Sequence, residues 1–195
     1  MNIQDLDYRR YKWFFTSSGK LVVGGKSSLQ NDELLKKVKS FKKDFLVMHT
    51  SSPGSPFCII LEDVEKLTSQ DKEEVAIFTG CFSKAWKLMK KTASIDIFHF
   101  SQLYKSSGMK PGTWGVKGKV ERKTVFLELV LTKQEGILRA VPEITAKKYL
   151  LKIKPGKIDK RDMLLKLQVV MPEHFSPEEI LSALPAGGIA IAKEK

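Results

Sequence analysis

The segment Gly112–Lys119, with the sequence GTWGVKGK, places an aromatic ring, two lysines and three glycines within eight residues. Glycine allows a backbone to approach a partner closely. Lysine supplies positive charge for phosphates, and tryptophan offers a flat face on which a base can stack. These residue types together predict a polyanionic ligand, and RNA fits them best.

The lysines of this segment are predicted to form a basic face. Lys117 and Lys119 fall on one side of a strand because alternate strand residues point the same way, and Lys105 and Lys110 lie close by in the chain. Trp114 falls on the opposite side of that strand. It is therefore either a stacking platform or a core residue beneath the basic face.

A second candidate phosphate site is Lys26, which lies between a predicted strand and a predicted helix in the sequence Gly25-Lys26-Ser27. The complete nucleotide-binding loop requires a glycine where Lys20 stands, so we reject that motif. Lys26 beside a helix N-terminus still predicts a contact to a single backbone phosphate. The alternative is a serine-capped helix with a solvated lysine.

His49 ends a predicted buried strand and precedes the Ser-, Pro- and Gly-rich loop Thr50–Pro56. A histidine in this position is a candidate general base. The other histidines, His99 and His174, form no ligand cluster with it in sequence, and no metal site is predicted. A structural histidine, or a loop that binds phosphate through amides and hydroxyls, remains as an alternative.

The whole composition agrees with an anionic partner. The chain has 34 Lys+Arg against 22 Asp+Glu, a formal charge of +12. This excess favours nucleic acid or an acidic surface as the partner. A lysine-rich surface of the thermophile type is the alternative.

No apolar run approaches the ~20 residues of a membrane span, and the polar N-terminus predicts no secretory signal. Cys58 and Cys81 read as buried thiols, so we expect a cytoplasmic protein without membrane contact.

The elements that must position these residues alternate irregularly between strand and helix, which predicts an α+β fold with a mixed or antiparallel sheet. One long helix is expected over Gln70–Lys91 and one shorter helix before it, packed on that sheet. The expected strands are a hairpin over 13–23 and segments 45–48, 57–61, 95–100 and 114–116.

The sequence pattern changes after Lys123. We therefore predict two parts, a domain over 1–123 and a C-terminal extension over 124–195. The extension should hold a hairpin over 125–141, a turn at Pro155-Gly156 among lysines, and a last strand over 188–192. Ser176-Pro177-Glu178-Glu179 predicts a capped helix. The extension either packs on the same core or forms a small appended subdomain.

Five short motifs in order across residues 8–123 resemble the NFACT-R (NFACT RNA-binding) domain. They are Lys12-Trp13-Phe14 with Gly19, Leu21-Val22, Gly25-Lys26 and Gln30-Asn31; His49 with Gly54-Ser55; Glu74 with Ser83, Ala85 and Trp86; Gln102–Lys105; and Gly112–Lys119. The resemblance implies an RNA-binding module of the kind found in ribosome-associated quality-control factors, whose partners are tRNA and the large ribosomal subunit. The chain is similar to a stand-alone, archaeal version of that domain.

We therefore predict a non-enzymatic RNA-binding protein linked to translation quality control, without a cofactor, that binds tRNA or ribosomal RNA. The alternatives are an RNA- or nucleotide-processing enzyme that uses His49 as base, and a ribosome-docked scaffold whose lysines provide solubility. The oligomeric state and the particular RNA are not predicted. The predicted RNA-binding residues are Lys12, Lys26, Asn31, His49, Gly54, Ser55, Lys84, Gln102, Lys105, Trp114, Lys117 and Lys119.

Overall fold

The computed structural model describes residues 3–192, and these residues form a mixed α+β fold with antiparallel sheets. The strands are β1 Lys12–Phe15, β2 Leu21–Gly24, β3 Leu46–Thr50, β4 Cys58–Ile60, β5 Thr92–His99, β6 Leu103–Tyr104, β7 Gly115–Val116, β8 Glu121–Phe126, β9 Leu129–Gln134, β10 Ile137–Val141, β11 Leu151–Asp159 and β12 Gly188–Ile191. The α-helices are α1 Ser28–Ser40, α2 Ser69–Cys81, α3 Lys84–Lys87, α4 Leu164–Val170 and α5 Pro177–Ala183. No helix in this range is long and apolar enough to span a bilayer.

The main sheet has six strands in the order β1-β2-β4-β3-β5-β8, and each neighbouring pair is antiparallel. Successive side chains of a strand point to opposite faces. Trp13 and Val23 therefore belong to the apolar cluster that packs against α1, whereas Phe14 and Val22 belong to the cluster that packs against α2. The sheet is thus buried on both sides along its first strands.

A second sheet has the order β10-β9-β11-β12, and α4 and α5 share its apolar cluster with α2. The predicted hairpin over 125–141 is confirmed for β9 and β10, but its first arm also supplies β8, which joins the main sheet instead. The predicted turn at Pro155-Gly156 is wrong: both residues lie inside β11, where the register shifts between Pro155 and Ile158 as a bulge accommodates them.

The expectation of one long and one shorter helix is also wrong, because α1 and α2 each have 13 residues. The predicted helix over 70–91 breaks after Cys81. The hydroxyl of Ser83 accepts a hydrogen bond from the amide of Ala85 and so caps a new helix, α3. The amide of Lys84 donates to the carbonyl of Gly54 (2.7 Å) rather than to a carbonyl of α2. The loop after β3 therefore ends the helix.

The outer edge of β1 is closed by side chains from the second sheet. The amide of Gln134 accepts a hydrogen bond from the backbone N–H of Phe15 (2.8 Å) and donates to its carbonyl (2.7 Å). Nε of Arg139 donates to the carbonyl of Trp13 (3.1 Å). These contacts satisfy three backbone groups on the open edge of a strand that has one strand neighbour, β2.

The predicted boundary at residue 123 falls within β8, and the apolar cluster around α2 includes Phe78 from before it together with Val125 and Leu129 from after it. The division of the chain at this residue remains a prediction. The capped helix predicted at Ser176 and the last strand are confirmed as α5 and β12.

Candidate nucleic-acid interface

A cavity of about 570 Å³, lined by both polar and apolar side chains, opens where β1 and β4 begin and β2 and β3 end. The loop after β3, the start of α1 and the segment before β7 complete its wall. The predicted RNA-binding residues that line this strand-end cavity are Lys12, Lys26, Asn31, His49, Gly54, Ser55 and Trp114. Of the others, Lys84 lies across the loop, and Gln102, Lys105, Lys117 and Lys119 lie outside the lining.

Lys12 is the cation most withdrawn from water in this cavity. Its Nζ lies 4.9 Å from the centre of the Phe82 ring. Burial lowers the pKa of Lys12 to about 8, and the positive charges of Lys160, Lys26 and Arg139 act in the same direction. Within residues 3–192 no carboxylate forms an ion pair with it. An anion in the cavity would therefore meet an uncompensated ammonium group.

Lys26 lies at the start of α1, where the hydroxyl of Ser27 caps the helix by accepting from the amide of Gln30 (3.2 Å). The side chain of Gln30 in turn accepts from the amide of Lys26 (2.8 Å). Burial, and then the charge of Arg139, lowers the pKa of Lys26. A Cβ on Gly25 would lie 2.2 Å from Oδ1 of the buried Asn31, so this close approach requires glycine.

His49 is held as a neutral ring. Its Nδ1 lies 2.7 Å from the carbonyl of Thr50, and its ring lies 4.4 Å from that of Phe57. Burial lowers the pKa of His49, although the Thr50 carbonyl opposes this effect. Asp96 also lines the cavity, but its carboxylate accepts from Ser51 and Arg122. In the described chain the histidine therefore lacks the hydrogen-bonded carboxylate that orients a general base.

The loop after β3 is shaped by its own polar groups. Oγ of Ser55 accepts from the amide of Thr50 (2.9 Å), and Gly54 adopts a φ of 109°. A Cβ at Gly54 would meet Cβ of Lys84 at 3.0 Å. Gly54 and Ser55 thus fix the loop, and they place Lys84 beside a second cavity on its far side.

Asp32 organises the opposite wall, and sequence reasoning did not identify it. Its carboxylate accepts from the amide of Gly112 (2.9 Å), from Nε1 of Trp114 (2.6 Å) and from Nζ of Lys105 (3.1 Å). Burial alone would raise its pKa, but these hydrogen bonds outweigh burial and leave the pKa of Asp32 lowered. Trp114 and Lys105 are consequently anchored, and Lys105 already has an anionic partner. Nothing in the sequence around Asp32 distinguishes it from an ordinary acidic residue of a helix.

The basic strand face predicted for Lys117 and Lys119 is wrong, because β7 ends at Val116 and Gly118 turns the chain with a φ of 79°. Nε2 of Gln102 donates to the carbonyls of both lysines (2.8 and 2.9 Å). Gln102 therefore fixes the backbone of this segment. Nζ of Lys117 lies 5.1 Å from the centre of the Tyr104 ring.

Comparison with known proteins identifies the family. The model of the NFACT protein RNA binding domain matches residues 10–118, more than half of the chain. This chain belongs to the NFACT RNA-binding domain family. The resemblance predicted from the five motifs is thus confirmed, and every residue that lines the strand-end cavity lies within the NFACT match.

Two further proteins are similar to this chain. The chain is 28% identical over 202 residues to the archaeal Rqc2 homolog aRqcH of Methanocaldococcus jannaschii, and the alignment covers 96% of this chain. The chain spans 29% of the length of that protein. A solved structure of the C-terminal part of the fibronectin/fibrinogen-binding protein from Streptococcus suis is similar with a TM-score of 0.51 and 26% identity, over 60% of this chain and 45% of that one.

Two cations from outside the NFACT match, Arg139 and Lys160, influence the electrostatics around Lys12. Arg139 is 8% exposed, its guanidinium lies 4.5 Å from the Trp13 ring, and burial lowers its pKa to about 10. Nζ of Lys160 donates to the carbonyl of Leu181 at 2.9 Å. Both raise the positive potential around Lys12. Sequence reasoning missed Arg139 because 126 residues separate it from Trp13.

Proposed function

We propose that this chain binds RNA through the strand-end cavity and that it does so in ribosome-associated quality control. The observation that carries the proposal is Lys12, a desolvated lysine that lines the strand-end cavity and has no carboxylate partner within the described residues. Membership of an RNA-binding family and similarity to a protein named as an Rqc2 homolog support it. We extend the proposal to tRNA or ribosomal RNA as the ligand and to the large ribosomal subunit as the docking partner.

In this proposal Lys12 and Lys26 contact backbone phosphates, while Asn31, His49 and the loop with Gly54 and Ser55 form the polar floor. A neutral His49 suits a hydroxyl or base edge better than a phosphate. Trp114 acts as an anchored wall beside the ligand. We assign Gln102 and Lys105 to positioning of that wall, and Lys84, Lys117 and Lys119 to the surrounding positive field.

The salt dependence of binding tests the phosphate contact of Lys26. Each contact adds about 0.7 to 0.9 to the steepness of log affinity against log salt. We therefore expect Lys26→Met to reduce that slope by roughly one contact in fluorescence anisotropy titrations with labelled RNA at several KCl concentrations. Lys66→Met is the charge-matched control, because Lys66 pairs with Asp63 and Glu62 away from the cavity. A flat salt response, or equal slopes for both variants, would count against the proposal.

We further propose that binding is not followed by catalysis. His49 is neutral and bound to the Thr50 carbonyl, and burial raises the pKa of the Cys58 thiol to about 12. We expect labelled RNA to remain intact after prolonged incubation with the purified protein, as read on a denaturing gel. Cleavage that disappears in His49→Ala would instead support the processing-enzyme alternative.

A further inference from the structure

A solvent-facing strip crosses the end of the main sheet, starting at the strand-end cavity. In β5 and β8 the buried side chains of the cluster around α2 are Ala93, Ile95, Ile97 and Val125. Alternation therefore turns Thr92, Ser94 and Asp96 of β5, and Arg122, Thr124 and Phe126 of β8, to the other face. The register pairs Asp96 with Arg122, Ser94 with Thr124, and Thr92 with Phe126. The strip thus runs from the cavity wall at Asp96 to Phe126.

Two further cavities lie along this strip. The first, of about 360 Å³, is lined by hydroxyl groups that include Ser94 and Thr124, and by Lys84 and Lys90. It shares Thr50 and Pro53 with the strand-end cavity. We call it the hydroxyl cavity. Hydroxyl groups and lysines are the side chains that hold a sugar-phosphate backbone in register.

The second, of about 460 Å³, surrounds Phe126 and shares Lys90 with the hydroxyl cavity. Phe126 is 75% exposed, which is unusual for an aromatic ring on a strand. Lys90, Lys91 and Lys154 are exposed around it. The one carboxylate in this lining, that of Glu128, pairs with Lys152 at 3.0 Å. An exposed ring among lysines is the arrangement on which single-stranded bases stack.

We infer that Phe126 is a base-stacking platform at the far end of a single-stranded RNA track that begins at the strand-end cavity and crosses the hydroxyl cavity. The inference rests on the proposed function and assigns a role to a residue outside the NFACT match. The register places Phe126 four residues along β5 from Asp96, about 13 Å. This distance equals about four steps of a stacked strand at 3.4 Å each. A base on Phe126 would therefore require an RNA several nucleotides longer than one that fills the strand-end cavity alone.

The test compares labelled oligouridines of about four and about twelve nucleotides, a range that covers the site sizes of such tracks. We expect Phe126→Ala to weaken binding of the longer oligomer by about 5- to 100-fold, the effect of losing one stacked base. Binding of the shorter oligomer should change little. Phe126→Tyr, which keeps an aromatic face, should bind the longer oligomer like the unaltered protein.

Leu165→Ala is the matched control, since Leu165 is 77% exposed on α4 and lines none of the three cavities. It should bind both oligomers normally. Equal affinity of Phe126→Ala and the unaltered protein for the longer oligomer would overturn the inference, as would an equal loss in Phe126→Tyr. If the unaltered protein binds neither oligomer nor structured RNA, the proposed function itself fails. If it binds and Lys26→Met weakens it while Phe126→Ala does not, the failure is confined to the track.

Discussion

Lys12→Met is expected to stabilise the fold and to weaken RNA binding at the same time. The pKa of Lys12 falls from 10.5 in the unfolded chain to about 8 in the folded protein, chiefly because the group is buried. At neutral pH the folded protein therefore holds a charge that the unfolded chain solvates better. Methionine fills similar space without that charge, so we expect the free energy of unfolding to rise by about 1–3 kcal/mol. RNA affinity should fall about tenfold or more, because a charge-assisted phosphate contact is lost.

The stability difference between Lys12→Met and the unaltered protein should depend on pH. Between about pH 8 and pH 10.5 the unfolded chain holds the Lys12 proton while the folded protein has released it. Stability from this residue therefore increases as pH rises through that window, and the advantage of Lys12→Met disappears. Urea unfolding of both proteins below and above the window measures it. RNA affinity should decline in the unaltered protein as Lys12 loses its proton near pH 8.

The matched control for this substitution is again Lys66→Met, which removes one exposed charge and should move neither quantity much. A Lys12→Met protein that unfolds more easily than the unaltered protein would contradict the assignment of Lys12 as an uncompensated buried cation. Unchanged RNA affinity would contradict its contact with phosphate.

Asp32→Ala is expected to produce the largest loss of stability among single carboxylate substitutions at the interface. It leaves the amide of Gly112, Nε1 of Trp114 and Nζ of Lys105 without their acceptor. Stranding such donors costs about 1–3 kcal/mol each when they are fully buried, and partial exposure of this wall reduces the total to about 3 kcal/mol. Because Trp114 loses its anchor, the wall of the strand-end cavity should loosen and RNA binding should weaken as well.

Thermal or urea unfolding measures this loss, and Glu33→Ala is the matched control. Glu33 is the next residue of α1, but its carboxylate pairs with the partly exposed Lys37 and touches Tyr11, so the loss should be much smaller. The pKa of Asp32 is lowered in the folded state, so its contribution is present above the unfolded value of 3.8 and is lost as pH falls through the folded pKa. A stability difference between Asp32→Ala and the unaltered protein that does not shrink in acid would contradict this account.

Local patterns predicted those parts of the fold that local chemistry determines. The β1–β2 hairpin, the Ser27-capped α1, the Ser176 capping box of α5 and the buried thiols of Cys58 and Cys81 were all readable from neighbouring residues. The break of the predicted helix at Ser83 was not, because the next amide, that of Lys84, binds the carbonyl of Gly54, 30 residues earlier in the chain. Periodicity along one helix contains no information about a loop that competes for its amides.

The candidate interface also combines features that neighbouring residues predict with features that depend on distant contacts. Lys26 and His49 were identified from residue type and position, Lys12 came with the resemblance to the NFACT-R domain, and the fold brings all three to one cavity. Whether each lysine is available was not predictable, because that depends on long-range partners. Lys105 is paired with Asp32, 73 residues away, whereas Lys12 has no carboxylate partner in the described part of the chain. The composition gives the number of positive charges, but the packing of the fold determines which of them an anion can reach.

The closure of β1 by Gln134 and Arg139 has a consequence for behaviour at high concentration. A bare outer strand is a template on which a foreign chain can add and start an intermolecular cross-β ladder. Here the main-chain groups of Phe15 and the carbonyl of Trp13 are already occupied, so the aromatic hairpin cannot recruit such a chain without first losing those bonds. The side chains of Gln134 and Arg139 thus protect this strand edge against intermolecular pairing.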